Sequence, residues 1–224
     1  PRKKEGELLW PERFGEPEVQ KLERALGSYA AAAQLQQRPT PAEGGIFKKS
    51  WFRTYSDRPQ FIRVVESWDT ATSDQELAAF SVGTVWGETA TGDFYLIHVE
   101  RGRYTFPKLK ATVRVLHTKF NGCAVLVEDK SSGRQVCQEL GRGKRIPILP
   151  VKVGKQDKIA RALTVSPLVE SGHVYLPENA PWLAAYMEEM LNFPNSKYKD
   201  QVDSTTQALN YLRGGSATSL MDLR

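Results

Sequence analysis

The stretch FIRVVESWDTA, residues 61–71, decides the fold of this chain. Its first eight residues are rich in apolar and β-branched side chains, which predicts a buried strand that stops at Asp69. Two more strand-like runs follow at residues 77–86 and 94–103, and short loops separate the three runs. Because short loops join antiparallel neighbours, this part of the chain predicts a three-stranded meander.

Helical and strand patterns alternate after the meander. Helices are predicted at residues 106–120 and 132–140, and short apolar strands at residues 123–128 and 146–151. This β-α-β-α-β order implies parallel neighbouring strands. Three more helices are predicted at residues 157–171, 180–192 and 200–212, and one brief extended segment is predicted at residues 173–177. The expected fold is α/β, a mixed sheet with helices on both faces.

Acidic residues mark the ends of these elements. Asp69 ends the first strand, Glu128 and Asp129 end the short buried strand, and Asp200 and Asp203 open the last helix. Taken singly, an acid at such a position is most often a turn former or a helix cap. A sheet that pairs the two strands would nevertheless gather these carboxylates, which repel unless a cation lies between them. Two hard divalent ions, which prefer oxygen ligands, can hold the reacting oxygens of a phosphodiester, so the pattern indicates a metal-dependent nuclease.

The composition indicates one main domain and suits a polyanionic partner. With 224 residues, 40% of them hydrophobic and 25% charged, the chain can bury one substantial core and a small appended element. It has 31 Lys and Arg against 26 acids, and the net charge of +5 is a modest bias towards nucleic acid. No apolar stretch approaches the roughly 18 residues that cross a bilayer, and no signal-peptide pattern is present. We therefore expect a cytoplasmic protein without membrane contact.

Cysteine and histidine give no sign of a metal or redox site in the sequence. Cys123 and Cys137 are the only cysteines, and their spacing fits neither a CxxC motif nor a metal-ligand pattern, so we expect reduced, partly buried thiols. His98, His117 and His173 are isolated, each at or near an apolar run. We expect core or surface roles for all three rather than ligation.

The amino-terminal part of the chain differs from the rest. Residues 18–37 fit a helix that ends at the RPTP sequence of residues 38–41, which no helix readily crosses. Because the chain begins with Pro1 rather than Met, we expect it to be part of a longer protein. Three parts are expected, an adaptor, a main domain and a flexible tail, at residues 1–55, 56–213 and 214–224.

One glycine-rich segment superficially resembles a phosphate-binding loop. The residues GRGK at 141–144 are followed by Arg145, where Ser or Thr would ligate Mg²⁺, and Gln138 stands at the position of the first required glycine. We therefore expect no nucleotide site in this chain.

Three antiparallel strands, then a helix, then parallel strands is the layout of the ribonuclease H-like fold. Within that fold the chain resembles the carboxy-terminal nuclease domain of the large terminase subunit of tailed bacteriophages, the protein that packages and cuts viral DNA. The resemblance covers nearly the whole chain and rests on several motifs at compatible spacing. These motifs are LWPERF, QLQQRPTPAEGGIFKKSWF, SWDTA, VLVEDKSSG, SGHVYLPENAPW and FPNSKYKDQVDSTTQAL, at residues 9–14, 34–52, 67–71, 125–133, 171–182 and 193–209.

The resemblance implies a set of metal-binding, catalytic carboxylates. Asp69 resembles the first family carboxylate, and Glu128 resembles the second because Gly133 follows it at the family's usual interval. Asp129 competes with Glu128. Successive strand residues face opposite sides of a sheet, so both can point into one site only if the strand has already ended, and we favour Glu128.

Asp200 resembles the third family carboxylate. Asp203 lies one turn later on the same helical face and is a further candidate for contact with the metal. Many relatives carry an acidic pair where this chain has Lys199 and Asp200. That departure leaves open whether Asp200 or Asp203 touches the metal directly.

The activity implied by the resemblance is cutting of double-stranded viral DNA during genome packaging, with two Mg²⁺ or Mn²⁺ ions. Lys130, Lys158 and Arg161 are candidate DNA contacts, since they lie close in sequence to the second carboxylate and the following connection. Two alternatives stay open: another ribonuclease H-like nuclease of the resolvase or transposase type, or a non-catalytic DNA-binding or motor-docking module.

The resemblance also implies partners and a place of action. The partners are double-stranded DNA, an upstream ATPase domain, the portal and the small terminase subunit. We expect the isolated domain to be monomeric, the full-length motor to be oligomeric, and both to act in the host cytoplasm during infection.

Overall fold

The computed structural model describes residues 15–34, 45–71, 79–121, 123–142, 146–152 and 157–214. The chain divides into two compact units, Pro1–Gly44 and Gly45–Arg224. In the first unit the described element is helix α1, Glu16–Gln34, which carries two acids in its first turn. All other described elements belong to the second unit.

A seven-stranded mixed sheet forms the centre of the second unit. Its strands are β1 Arg53–Tyr55, β2 Arg63–Asp69, β3 Ser81–Glu88, β4 Phe94–Gly102, β5 Ala124–Glu128, β6 Ile148–Val151 and β7 Val174–Pro177. Their spatial order is β1-β7-β4-β3-β2-β5-β6. β2, β3 and β4 pair antiparallel, as the short loops predict, and every other pair in the sheet is parallel.

Helices cover both faces of the sheet. They are α2 Phe106–Lys119, α3 Ser131–Gly141, α4 Lys158–Glu170, α5 Leu183–Asn192 and α6 Asp200–Gly214. α2 and α3 pack over β5 and β6 around an apolar cluster, whereas α6 lies against β2 and β3 and in turn contacts α4 and α5. The mixed sheet with helices on both faces confirms the predicted fold class.

Strand β2 shows why the two faces carry different side chains. Successive strand residues point to opposite sides, so neighbours on β2 face different helices. Trp68 is fully buried and packs in the apolar cluster under α2 and α3. Ser67 faces α6, where its Oγ donates a 2.8 Å hydrogen bond to the backbone carbonyl of Ser204. Asp69 is two residues beyond Ser67 and therefore shares the α6 face.

The indole of Trp68 requires a glycine on the neighbouring strand. Gly83 of β3 is its cross-strand partner, and a Cβ at that position would lie 2.7 Å from the indole ring. No real Cβ contact is that short, so any larger residue would displace the ring from the core.

Strand β1 was not predicted, and it changes the expected domain division. It pairs in parallel with β7 through Arg53 and Tyr175, and the preceding residues Ile46 and Phe47 are buried. Residues 45–55, which we expected in the adaptor, therefore lie in the same compact unit as the sheet. Of the predicted tail, Gly214 ends α6, and the remaining residues lie outside the described ranges.

Two further observations concern the meander and the membrane. The second predicted strand was to begin at residue 77, but β3 begins at Ser81, and residues 72–78 lie outside the described ranges. None of the helices in the described residues combines the length and apolar composition needed to cross a bilayer.

Candidate functional site

Two neighbouring parallel strands bring the first two predicted acids to the same edge of the sheet. Trp68 of β2 is in register with Val127 of β5, and Asp69 and Glu128 each follow one residue later as the last residue of their strand. Because the strands are parallel, their carboxyl ends meet at one edge, which is where α/β proteins place their ligands.

The first turn of α6 supplies two more acids to this edge. α6 packs against β2 and β3 on the face that carries Asp69. Asp200 and Asp203 both lie in the first turn, which is the end of a helix that stabilises negative charge. Asp203 is only 5% exposed, whereas Asp200 is half-buried.

The electrostatics show that these carboxyls are close enough to repel one another. Burial, reinforced by the negative charges of Asp203, Glu128 and Asp200, holds the pKa of Asp69 well above its usual range, and Lys158 opposes this rise. Like charges raise a carboxyl pKa in this way only at short range. The structure therefore gathers four of the five acids named in the sequence, from β2, β5 and α6.

The α6 acids are perturbed in the same direction. Burial raises the pKa of Asp203, while Lys158 and Arg161 lower it and Glu128 raises it further. Burial also raises the pKa of Asp200, with Lys158 opposing the rise. Burial therefore penalises the charge on both acids, and the nearby basic side chains offset only part of that penalty.

The fifth acid, Asp129, is directed elsewhere. It comes directly after the end of β5, and its Oδ1 accepts a 3.1 Å charge-assisted hydrogen bond from Nε of Arg134 on α3. Its side chain is 27% exposed, against 13% for the side chain of Glu128. Among the described residues, Asp129 is not one of the acids that raise the pKa of Asp69.

Gly133 holds the turn between β5 and α3 close to Glu128. A Cβ at Gly133 would lie 2.1 Å from the backbone carbonyl oxygen of Glu128, so only glycine fits there. The backbone N–H of Gly133 donates a 2.8 Å hydrogen bond to the carbonyl of Lys130. The tight turn fixes where β5 ends and so where Glu128 points.

All three predicted DNA contacts form ion pairs with these acids. Lys158 Nζ pairs with Oδ2 of Asp203, and Arg161 Nη2 lies 2.8 Å from Oδ1 of the same carboxylate. Lys130 Nζ lies 2.7 Å from Oε1 of Glu128. The sequence placed these cations near the acids correctly, but it did not indicate that they contact them directly.

A basic and aromatic cluster beside Asp200 was missed in the sequence. The guanidinium carbon of Arg101 lies 4.1 Å from the ring centroid of Phe80 and 4.7 Å from that of Tyr198. Arg103 lies 4.5 Å from the Phe80 centroid, and Arg101 lowers the pKa of Asp200 against the effect of burial. The signal that could have found the cluster is the alternation of Arg101 and Arg103 at the end of β4, combined with Tyr198 two residues before Asp200.

Comparison with known families decides the relationship of this chain. Residues 66–212 match the model of the terminase RNase H-like domain, a match that contains every acid described above. The chain belongs to the terminase RNase H-like domain family. No curated protein matches it significantly in sequence.

Solved terminase structures share the fold. The large terminase of a thermophilic bacteriophage, in complex with ADP, is 15% identical, with a TM-score of 0.64 over 89% of this chain and 52% of that chain. The large terminase nuclease of thermophilic phage G20c with bound magnesium is 18% identical, with a TM-score of 0.54 over 76% of this chain and 98% of that chain. The HK97 bacteriophage large terminase is 12% identical, with a TM-score of 0.53 over 74% of this chain and 43% of that chain.

These likenesses confirm the RNase H-like fold of this terminase domain. The chain spans about half the length of the ADP-bound large terminase and nearly the whole of the G20c nuclease. In this chain the fold brings together the carboxylates at the ends of β2 and β5 and at the start of α6.

Proposed function

We propose that this terminase domain is a divalent-metal-dependent endonuclease that cuts double-stranded viral DNA during genome packaging. The observation that carries the proposal is the convergence of Asp69, Glu128, Asp200 and Asp203 at one edge of the sheet. Burial and mutual repulsion penalise the charge on Asp69. A bound cation would remove that penalty.

Two Mg²⁺ or Mn²⁺ ions suit this set of donors, because both ions prefer oxygen ligands. We propose that Asp69, Glu128 and the acids of α6 would hold these ions. When bound, such ions activate a water molecule and stabilise the departing oxygen of a phosphodiester. The protein's own contribution is to hold the carboxylates in place through the sheet edge and the packing of α6.

Asp203 is the stronger candidate for a direct ligand on α6. It is more buried than Asp200, and its charge contributes most among the carboxylates to the raised pKa of Asp69. We therefore propose that Asp203 binds metal and that Asp200 completes or orients the same site. The sequence left the choice between the two open, and Asp203 is the one we propose.

We propose different roles for the three basic residues beside the acids, according to how exposed their side chains are. The side chain of Arg161 is 15% exposed, so we assign it to hold Asp203 in position. The side chains of Lys130 and Lys158 are 61% and 44% exposed, which leaves them free to turn from a carboxylate to a DNA phosphate.

The aromatic and basic cluster at Arg101 offers a second contact surface for DNA. Arg101 acts on Asp200, Arg103 lies over the same Phe80 ring as Arg101, and Lys197 lies 5.3 Å from the ring centroid of Tyr198. Phosphate contacts from such residues position a duplex without reading its sequence. We propose that the DNA backbone crosses this cluster on its way to the acids.

The test is incubation of the purified chain with supercoiled plasmid in Mg²⁺, in Mn²⁺ and in excess chelator. We expect nicked and linear products with either ion and none with the chelator, and Asp129→Asn serves as the matched acid outside the cluster. Absence of both cleavage and divalent-ion binding in the folded protein would overturn the proposal and favour a docking module.

The wider assembly follows from the family. We propose that the domain acts with an upstream ATPase domain, the portal and the small terminase subunit, in the host cytoplasm during infection. On its own, a net charge of +5 favours only weak, salt-sensitive association with DNA.

A further inference from the structure

A second polar cluster lies on the opposite face of the sheet from the acids. Glu66 is three residues before Asp69 on β2, so it shares the face of Trp68, under α2. His117 is in the last turn of α2, and Cys123 is the residue before β5. The chain thus brings three different donor types together from three separate elements.

The cluster is compact and largely buried. One carboxylate oxygen of Glu66, one ring nitrogen of His117 and Sγ of Cys123 all lie within 4.8 Å of one another. Glu66 is 0% exposed and Cys123 8% exposed. His117 is half-buried, so the cluster can be reached from solvent at the end of α2.

Glu66 has an unsatisfied oxygen in this pocket. Its Oε1 accepts a hydrogen bond from Nε1 of Trp68. Its Oε2 is buried and has no hydrogen-bond partner among the described residues. A buried carboxyl oxygen without a partner costs free energy, so an ion, an ordered water or another ligand at this position would stabilise the fold.

The hydrogen bond made by His117 leaves one of its ring nitrogens able to bind a metal. A backbone carbonyl can only accept, so Nδ1 of His117 donates the 2.9 Å hydrogen bond to the carbonyl of Cys123. In a neutral imidazole the other nitrogen, Nε2, then carries the lone pair. Ligating histidines are held in this manner by a carbonyl or carboxylate on their second nitrogen.

We propose that Glu66, His117 and Cys123 bind a zinc-class transition-metal ion at a site separate from the carboxylate centre. Zinc accepts carboxylate oxygen, imidazole nitrogen and thiolate sulfur at about 2.0–2.3 Å, which sets tetrahedral ligand atoms roughly 3.3–3.8 Å apart. The three ligand atoms lie at most 4.8 Å from one another, so each distance would need to shorten by at most about 1–1.5 Å to reach this geometry. Sulfur and imidazole ligands select against Mg²⁺.

Metal binding at this site would release protons. Burial raises the pKa of Glu66 to about 8 and that of Cys123 to about 12. Both side chains therefore hold a proton without metal and would give it to solvent when they coordinate, so the ion binds more tightly as pH rises. The bound ion would link α2 to β2 and β5, the strands that carry Asp69 and Glu128.

Cobalt titration tests the proposal, because a Co²⁺–thiolate bond gives a charge-transfer absorption that oxygen and nitrogen ligands do not give. The chain has only two cysteines, so Cys137→Ser is a matched control for Cys123→Ser. Chelator-treated protein would be titrated with Co²⁺ in excess Mg²⁺ and then with Zn²⁺. We expect a band that saturates at one Co²⁺ per chain and disappears when Zn²⁺ is added.

The variants separate this site from the carboxylate centre. We expect Cys137→Ser and Asp69→Asn to keep the band, Cys123→Ser to lose it, and Glu66→Gln and His117→Gln to weaken cobalt binding at least tenfold. Failure of the proposed nuclease activity would leave the band untouched. A folded wild-type protein without a band, or a band that persists in Cys123→Ser, overturns the proposal. If Cys123→Ser does not fold, unchanged cobalt affinity in Glu66→Gln overturns it equally.

Discussion

Ser67 and Ser204 exchange hydrogen bonds between β2 and α6. Ser204 Oγ donates to the carbonyl of Ser67 at 2.7 Å, and Ser67 Oγ donates to the carbonyl of Ser204 at 2.8 Å. Ser204 Oγ also lies 2.7 Å from the hydroxyl of Thr84 on β3. Because Ser67 is two residues before Asp69 and Ser204 directly follows Asp203, this pair sets the register between the two buried carboxylates.

Replacing Ser204 with Ala should loosen that register. The substitution leaves buried hydrogen-bonding groups on Ser67 and Thr84 without their partner, which costs about 1–3 kcal/mol of unfolding free energy. We expect weaker divalent-ion binding and slower plasmid cleavage as well, measured by calorimetry and gel assay. Ser171→Ala is the control, because that exposed hydroxyl bonds only to carbonyls of its own helix. Equal behaviour of the two variants would show that the pair does not position the site.

Asp69→Asn should abolish cleavage while the fold survives. The change removes one negative charge with little change in shape, and loss of the proposed metal ligand should lower the cleavage rate by roughly 10²–10⁴-fold. Because the pKa of Asp69 is raised in the folded state, its charged form opposes folding once pH exceeds the unfolded pKa. In chelator at neutral pH, the variant should therefore melt at the same temperature as wild type or higher. A folded variant that still cuts plasmid would remove Asp69 from the mechanism.

Glu128→Gln and Asp129→Asn should separate two adjacent acids. Glu128 lies at the carboxylate cluster, whereas Asp129 pairs with Arg134 at the surface of α3. We expect loss of cleavage in Glu128→Gln and near-normal cleavage in Asp129→Asn, compared at equal protein and Mn²⁺ concentrations. The reverse ranking would assign the ligand to Asp129 instead.

The cluster at Arg101 should contribute to DNA binding. Arg101→Ala and Arg103→Ala should each weaken binding of uncleaved duplex in Ca²⁺ and reduce the slope of log affinity against log salt by about one per lost phosphate contact. The matched control is Arg114→Ala on the exposed surface of α2, which covers the other face of the sheet. Salt slopes that stay at the wild-type value in both variants would place the DNA path elsewhere, with Lys130 and Lys158 as the next residues to test.

The protonation of Glu66 should be visible in the pH dependence of stability. Burial raises its folded pKa from 4.5 to about 8, so the folded state holds a proton that the unfolded state releases in this range. Its contribution to stability is therefore complete below about pH 4.5 and is lost as pH rises to about 8, by at most about 5 kcal/mol. In chelator, Glu66→Gln should lose less unfolding free energy than wild type between about pH 5 and 8. Parallel curves for the two proteins would mean that Glu66 is already ionised in the fold.

The sequence by itself determined which residues belong to the sheet and which acids end its strands. Alternating and continuous apolar runs indicate strands and the faces on which their residues lie. The sequence therefore predicted β2, β5 and the position of Asp69 at the end of its strand. β1 could not, because a three-residue strand is too short to show any period, and its pairing depends on β7 far along the chain.

Only the tertiary structure decided which side chains meet. The sequence could not show that Asp203 is more buried than Asp200, because that burial depends on the packing of α6 against β2. Nor could the sequence show that Lys158 and Arg161 form ion pairs with Asp203. It also could not show that Glu66, His117 and Cys123 lie together on the other face of the sheet. The physical reason is that a local sequence pattern fixes only the face of its own helix or strand on which a side chain lies. A site needs side chains from separate elements to point at the same place, and the packing of those elements decides whether they do.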